Sequence, residues 1–173
     1  KEISWAQFNP QISNQYSKDS LAFAFNWDDG NAPAALNYLF NKEIKVKTSK
    51  KAFTTKVNGT PYQFKPGAII IPFSEDTSDK ILQVVAEINE FCGVSSSSIT
   101  SGVIDKGVDL GSPSIVSLQQ PKVLMLIGKS INSYQAGSLW HLLDTQVGMA
   151  VTKIKPNQLD KISLTDYSHL IMP

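Results

Sequence analysis

The sequence predicts an α/β fold, with a mostly parallel sheet, helices on both faces and one inserted β-hairpin. Three observations predict it. Short strand-like segments alternate with helical ones, the pattern of a layered α/β protein. Segments such as AIIIP (Ala68–Pro72) and VLMLI (Val123–Ile127) are unbroken apolar runs, as expected of strands covered on both faces. The succession strand, loop, helix, strand, strand occurs once in each half of the chain, and both halves close on a similar apolar strand ending in proline, FKPGAIIIP and TDYSHLIMP.

The elements follow in order. Residues 1–20 (KEISWAQFNPQISNQYSKDS) are rich in Ser, Asn and Gln and show weak periodicity, so they read as an irregular lead-in. LAFAF (Leu21–Phe25) is a buried-strand candidate, and NWDDGN supplies turn residues. Ala32–Asn41 is predicted as a helix, with Pro33 near its start, where a missing N–H costs little, and Leu36, Leu39 and Phe40 on one face. IKVKT (Ile44–Thr48) alternates like a half-buried strand. FTTKVNGTPYQF predicts a hairpin, because Asn58-Gly59 suits the two positive φ angles of a tight type I′ turn. Pro66-Gly67 turns the chain into AIIIP.

Ser74–Phe91 is predicted as a second helix, with Thr77 or Ser78 as N-cap, Ile81, Val84, Val85 and Ile88 on one face, and Gly93 as its stop. Residues 94–120 form a Ser- and Gly-rich connection, suited to a linker or a wrapping loop and able to hold one short strand around Ser101–Ile104. After Pro121 the pattern restarts. KVLMLIG is a strand and GKSINSYQAG a polar loop. Ala136–Thr145 is a helix with Leu139, Leu142 and Leu143 as its apolar face. MAVTKI is a strand, Pro156–Lys161 a helical turn, and YSHLIMP a last strand. The divisions are thus 1–20, 21–93, 94–120 and 121–173. The two halves read either as an internal repeat or as a chance match between α/β patterns.

Composition narrows the function. Lys and Arg number 16 against 15 Asp and Glu in 173 residues, and the two signs are interspersed. That balance argues against a nucleic-acid partner or a membrane-seeking face. The longest apolar runs are far shorter than the roughly 20 residues needed to cross a bilayer. A single cysteine, Cys92, cannot form an internal disulfide and fits cytoplasm or periplasm alike. With no starting Met, Lys1 reads as a processing boundary, and HLIMP reads as a strand at which the C-terminal unit is truncated in mid-sheet. A strand left so would have an open edge, able to pair with another copy.

Candidate chemistry is sparse. Cys92 follows a helix rather than standing between strand and helix, so it reads as a small buried hydrophobe rather than a nucleophile. His141 and Asp144 share a helical face, but a zinc site needs three or four ligands, and His169 is the only other histidine. No metal or cofactor is expected. Asn58-Gly59-Thr60 matches the glycosylation triplet, which its turn role already explains. Two loops stand beyond strand carboxyl ends, where α/β sheets bind ligands. One carries Asp28 and Asp29. The other carries Gly128, Lys129, Ser130, Asn132 and Ser133, faintly like a phosphate loop but without its glycine spacing; the following helix N-terminus could hold an anion. Loop structure and capping are the plainer explanation of both.

The stretch PKVLMLIGKSINSYQAGSLWHLLDTQVGMAVTKI, followed by YSHLIMP, resembles the start of a class I glutamine-amidotransferase-like domain. More narrowly, it resembles the version attached to large bacterial zinc-carboxypeptidase-like proteins of the M14 peptidase family. The features that carry this are DLGSPS (Asp109–Ser114), the Ser-Tyr-x-Ala-Gly loop (Ser133–Gly137) and the Trp-His-Leu-Leu-Asp helix (Trp140–Asp144). AFAFNWDDGNAPAALNYLF and FKPGAIIIP are similar to the region that follows the peptidase domain there, so the resemblance runs from about Leu21 onward. It implies a flavodoxin/amidotransferase-like sheet, a periplasmic or secreted location, and the peptidase domain of the same polypeptide as partner.

The active machinery does not carry over. The peptidase's His-x-x-Glu pair has no match, since His141-Leu-Leu-Asp144 holds Asp. The amidotransferase nucleophile elbow would lie beyond HLIMP. The expectation is therefore a non-catalytic accessory region that packs on the peptidase or recognises polypeptide or glycan. The alternatives are a piece of an amidotransferase-like small-molecule enzyme or sensor, or a nucleotide-binding module using the 128–137 loop.

Overall fold

The structure, a computed structural model, describes residues 19–74 and 78–173. Most of the lead-in and the N-cap candidate Thr77 lie outside these residues. The chain divides into two compact units, Lys1–Leu118 and Gln119–Pro173.

The first unit is built on a five-stranded sheet. Its strands are β1 (Ala22–Phe25), β2 (Lys47–Ser49), β5 (Ile69–Pro72), β6 (Ser97–Ile99) and β7 (Ile115–Ser117), in the order β6-β1-β5-β2-β7. Every neighbouring pair is antiparallel. Phe23 lies opposite Ile71 on one side and Ser98 on the other, and Thr48 lies between Ile69 and Val116. This corrects the expected mostly parallel, flavodoxin-like sheet with helices on both faces.

The reason is topological. β1 and β2 both run against β5, so they are parallel to each other and joined through helix α1 (Ala32–Asn41). β5 and β6 both run against β1, so they are parallel and joined through helix α2 (Ser78–Phe91). Each strand–helix–strand crossover therefore skips one position, and the other crossover fills it. The periodicity of the sequence reveals the crossovers but not their interleaving. The result is the β-α-β-β-α-β topology of a ferredoxin-like split motif, with β7 added at one edge.

The apolar runs do reflect burial on both faces, but the two covers differ. Phe23, Phe25, Ile69 and Ile71 face Ala32, Ala35 and Leu39 of α1 and Ile81, Val84, Val85 and Ile88 of α2. On the opposite face, Ala22, Ala24 and Ile70 meet Phe53 and Phe64. These two belong to a separate hairpin, β3 (Phe53–Val57) and β4 (Thr60–Phe64), and their rings stack at 4.8 Å. Small alanines on this side of β1 leave room for the ring pair. The hairpin turn has φ of 50° at Asn58 and 80° at Gly59, as a type I′ turn requires. Phe23, Phe53 and Phe64 are each 0–1% exposed. Truncating any of them to alanine removes about 3–5 kcal/mol.

Residues 94–120 wrap the unit. They supply both edge strands, β6 and β7, and Lys106 exchanges backbone hydrogen bonds with Thr54 of the hairpin (2.7 and 3.2 Å). The strand expected at Ser101–Ile104 lies instead at Ser97–Ile99. Gly107 is required where this segment crosses the hairpin: its φ is +111°, and a Cβ there would stand 2.6 Å from the Ala52 carbonyl oxygen.

The second unit is a three-stranded parallel sheet, β8 (Val123–Leu126), β9 (Val151–Ile154) and β10 (His169–Ile171), in the order β10-β8-β9. All four residues of β8 are buried. The halves of the chain are therefore not structural repeats. β1 and β5 are antiparallel neighbours, whereas their sequence counterparts β8 and β10 are parallel. Helix α3 (Ser133–His141) runs into one π-helical turn, Leu142–Gln146. Ala136 is its only buried residue, and Leu139 and Leu142 are 37% and 44% exposed, so the leucine face expected of this helix is not a buried one.

Candidate functional site

A polar cleft of about 500 Å³ opens in the first unit where β1 hands over to α1. Three segments form it: the β1–α1 loop, the exit of β4, and the turn after α2. Asn26, the first residue past β1, joins two of them. Its Oδ1 accepts from the Lys65 backbone N–H at 2.8 Å, and its Nδ2 donates to the Tyr62 hydroxyl oxygen at 3.2 Å. One short amide thus ties a loop to a hairpin 39 residues away. The next turn is fixed as well. Pro66-Gly67 places Gly67 at φ +91°, with Ala68 N donating to Lys65 O at 3.0 Å, a turn that needs glycine at its third position. The site that a Cβ on Gly67 would take faces the Trp27 side chain at 3.5 Å.

Asp28 and Asp29, expected beyond the strand end, both line the cleft, and their tasks differ. Asp28 forms an ion pair with Lys65. The hydrogen bond from the Lys65 ammonium holds the Asp28 carboxyl below its usual range, and the same bond raises the Lys65 ammonium. Asp29 serves the chain itself. Its Oδ1 accepts from Asn31 N at 2.9 Å and its carbonyl from Ala32 N at 3.0 Å, which starts α1. This is the turn an aspartate makes with the backbone two residues on, and it sets the entry into the helix.

Tyr62 completes the cleft from β4. Its ring meets Phe64 edge-on at 4.9 Å and remains 43% exposed. Val94 and Ser95 close the far side after Gly93 (φ +69°) ends α2. Asn26, Tyr62, Gln63, Lys65, Val94 and Ser95 were not foreseen as site residues. Nothing local in the sequence marks them, because the partners of Asn26 come from a hairpin that no periodicity ties to β1.

The loop Gly128–Gly137 belongs to the second unit. Gly128 (φ +104°) and Ser130 (φ +79°) shape it, and Gly128, Lys129, Ser130, Asn132 and Ser133 are all exposed. Asn132 is the N-cap of α3: its Oδ1 accepts from Tyr134 N at 3.1 Å and Gln135 N at 3.2 Å. These are the donors an anion would need, so capping already uses them.

The remaining candidates are occupied locally. His141 Nδ1 lies 3.3 Å from Thr145 Oγ1, and His169 Nδ1 lies 2.8 Å from Ser168 Oγ. Among the described residues no group of three His, Cys, Asp or Glu could hold a metal, and no helix is long and apolar enough to cross a membrane. Burial pushes the Cys92 thiol up, away from a reactive thiolate. Lys153 stands 3.4 Å over the Trp140 ring, a cation–π contact within the second unit.

The fold and site thus define a ferredoxin-like antiparallel unit carrying a polar cleft, followed by a small parallel unit. Scans of protein-family models, of curated proteins and of solved structures find no match to this chain.

Proposed function

We propose that this chain is a non-catalytic recognition region of a secreted or periplasmic zinc-carboxypeptidase-like protein, with the peptidase domain of the same polypeptide as its partner. The observation that carries the binding role is the Asn26–Tyr62–Lys65 arrangement. With Asp28 it places an aromatic ring, a carboxylate and an ammonium around an open cleft. These groups suit hydrogen bonding to a polar ligand. The assignment to a peptidase rests on the resemblance at Asp109–Ser114, Ser133–Gly137 and Trp140–Asp144.

Two measurements test the reading. The coding sequence upstream should contain a His-x-x-Glu pair and a later His; any other catalytic signature there removes the peptidase assignment. Amide chemical-shift mapping with soluble polypeptides and oligosaccharides should move residues around the cleft without turnover. Hydrolysis of a probe by the purified chain overturns the non-catalytic part.

A further inference from the structure

The geometry points to a neutral saccharide as the ligand of the cleft between Asn26 and Lys65, an inference that rests on the cleft being a recognition surface. Each polar group there has one capacity used and another open. The Tyr62 oxygen accepts from Asn26 Nδ2, so its O–H hydrogen is left to donate outward. Asp28 engages Lys65 through Oδ2, and its carboxylate has lone pairs beyond that bond and the one it accepts from its own backbone N–H. The Lys65 ammonium carries three donors, of which the ion pair claims one. Donors on Tyr62 and Lys65 and an acceptor on Asp28 then line one cleft. A run of hydroxyl groups, each both donor and acceptor, matches such a mixture. A single charged group does not.

Charge argues the same way. The Asp28–Lys65 pair cancels at the mouth, and the one charge left over, on Asp29, accepts from the Asn31 N–H of its own loop. An anion would meet the carboxylates of the loop and a cation would compete with Lys65 for Asp28, whereas a neutral polyol hydrogen-bonds to both members of the pair and faces neither repulsion. The half-exposed Tyr62 ring supplies what the hydroxyl rim of a sugar lacks. Pyranose rings present a C–H face, and an aromatic face covers it while the tip stays polar. Asn26 and Phe64 fix that ring from two sides, so little rotamer freedom is lost on binding. The cleft volume of about 500 Å³ lies in the range of small-molecule sites.

The test is amide chemical-shift mapping of the full chain with three probes: cellobiose, N,N′-diacetylchitobiose and trialanine. We expect at least one disaccharide to shift the amides of Asn26–Asp29 and Tyr62–Lys65, and trialanine not to. Tyr62→Ala should weaken that binding at least tenfold. Asp28→Ala alters an exposed pair without touching the core and should weaken it several-fold, with the rest of the amide spectrum unchanged as the control for folding. If trialanine moves these amides and the sugars do not, the saccharide class is wrong and the recognition reading stands. If none of the three moves them, both fall. Sugar binding that Tyr62→Ala and Asp28→Ala leave intact places the site elsewhere and overturns the inference.

Discussion

The Tyr38 hydroxyl donates to Glu87 Oε2 at 2.9 Å, joining α1 to α2 through a carboxylate that is 6% exposed. Gln83 Nε2 donates to the other oxygen at 2.9 Å, and Lys42 Nζ lies 3.3 Å from Oε2. A buried carboxylate is tolerated when its lone pairs are met in this way. Tyr38→Phe should lower unfolding free energy by about 1.5 kcal/mol, the low end for a hydrogen bond to a charged group. Glu87→Ala should cost more, because three donors lose their shared acceptor at once. Urea unfolding of the two variants checks the order, and a Tyr38→Phe variant as stable as the parent removes the clamp.

The same cluster predicts an alkaline transition. Burial, then the Glu87 hydrogen bond, raises Tyr38 above its ordinary 10.0. The Tyr38 hydrogen bond, opposed by desolvation, raises Lys42 above its ordinary 10.5. Both groups hold their protons more tightly when folded. Their contribution is therefore full below about pH 10 and is lost as pH rises through the raised folded values. Thermal unfolding from pH 8 to 11 should show the decline, and Tyr38→Phe should flatten it.

Gly59→Val should destabilise the first unit by about 1–2 kcal/mol, the cost of placing a side chain in the left-handed region. Gly59 holds φ +80° with nothing within 4 Å of the site a Cβ would take, so strain alone is being measured. An unchanged unfolding midpoint would exclude the type I′ turn.

Gly107→Ala is expected to cost roughly 2 kcal/mol or more through both strain and overlap. The added Cβ would lie 2.6 Å from the Ala52 oxygen and 2.8 Å from the Phe53 Cα, both backbone atoms that cannot swing away. Hydrogen exchange should then speed up at Thr54 and Lys106, whose amides form the crossing bonds. Protection that persists at both amides would show that the crossing survives the substitution.

β10 pairs with β8 on one side and stands at the sheet edge, with Leu170 43% and Met172 69% exposed. An open edge with apolar side chains is a template for pairing. The apparent molar mass from light scattering should rise with concentration, and Leu170→Lys should reduce the rise. A molar mass that stays at the monomer value for the parent chain removes this edge as an association surface.

The sequence made local structure legible and left spatial order hidden. α1, the hairpin and its turn stand where the apolar spacing and Asn58-Gly59 put them, because those signals act over a few residues. Strand direction is not legible in the same way. Continuous apolar runs report cover on both faces, and Phe53 and Phe64 from a hairpin provide that cover as well as a helix would. The leucines of α3 show the converse: their spacing predicts a buried face, yet Leu139 and Leu142 stay exposed. In the cleft, Asp28 and Asp29 were visible as turn residues after a strand. Asn26 and Lys65 were not, since their pairing spans 39 residues.

Both edge strands of the first sheet come from its last stretch of chain, and Ser20 meets Ser98 across 78 residues at 2.6 Å. Such distant pairing makes contact order high and folding slow. On the ribosome, β1, β5 and β2 emerge with their outer edges bare; residues 97–99 must follow before the first is paired and residues 115–117 before the second. The nascent chain therefore passes through an interval with two exposed templates for misassociation. Pausing or chaperone capture during synthesis should act on that interval, before β7 leaves the exit tunnel.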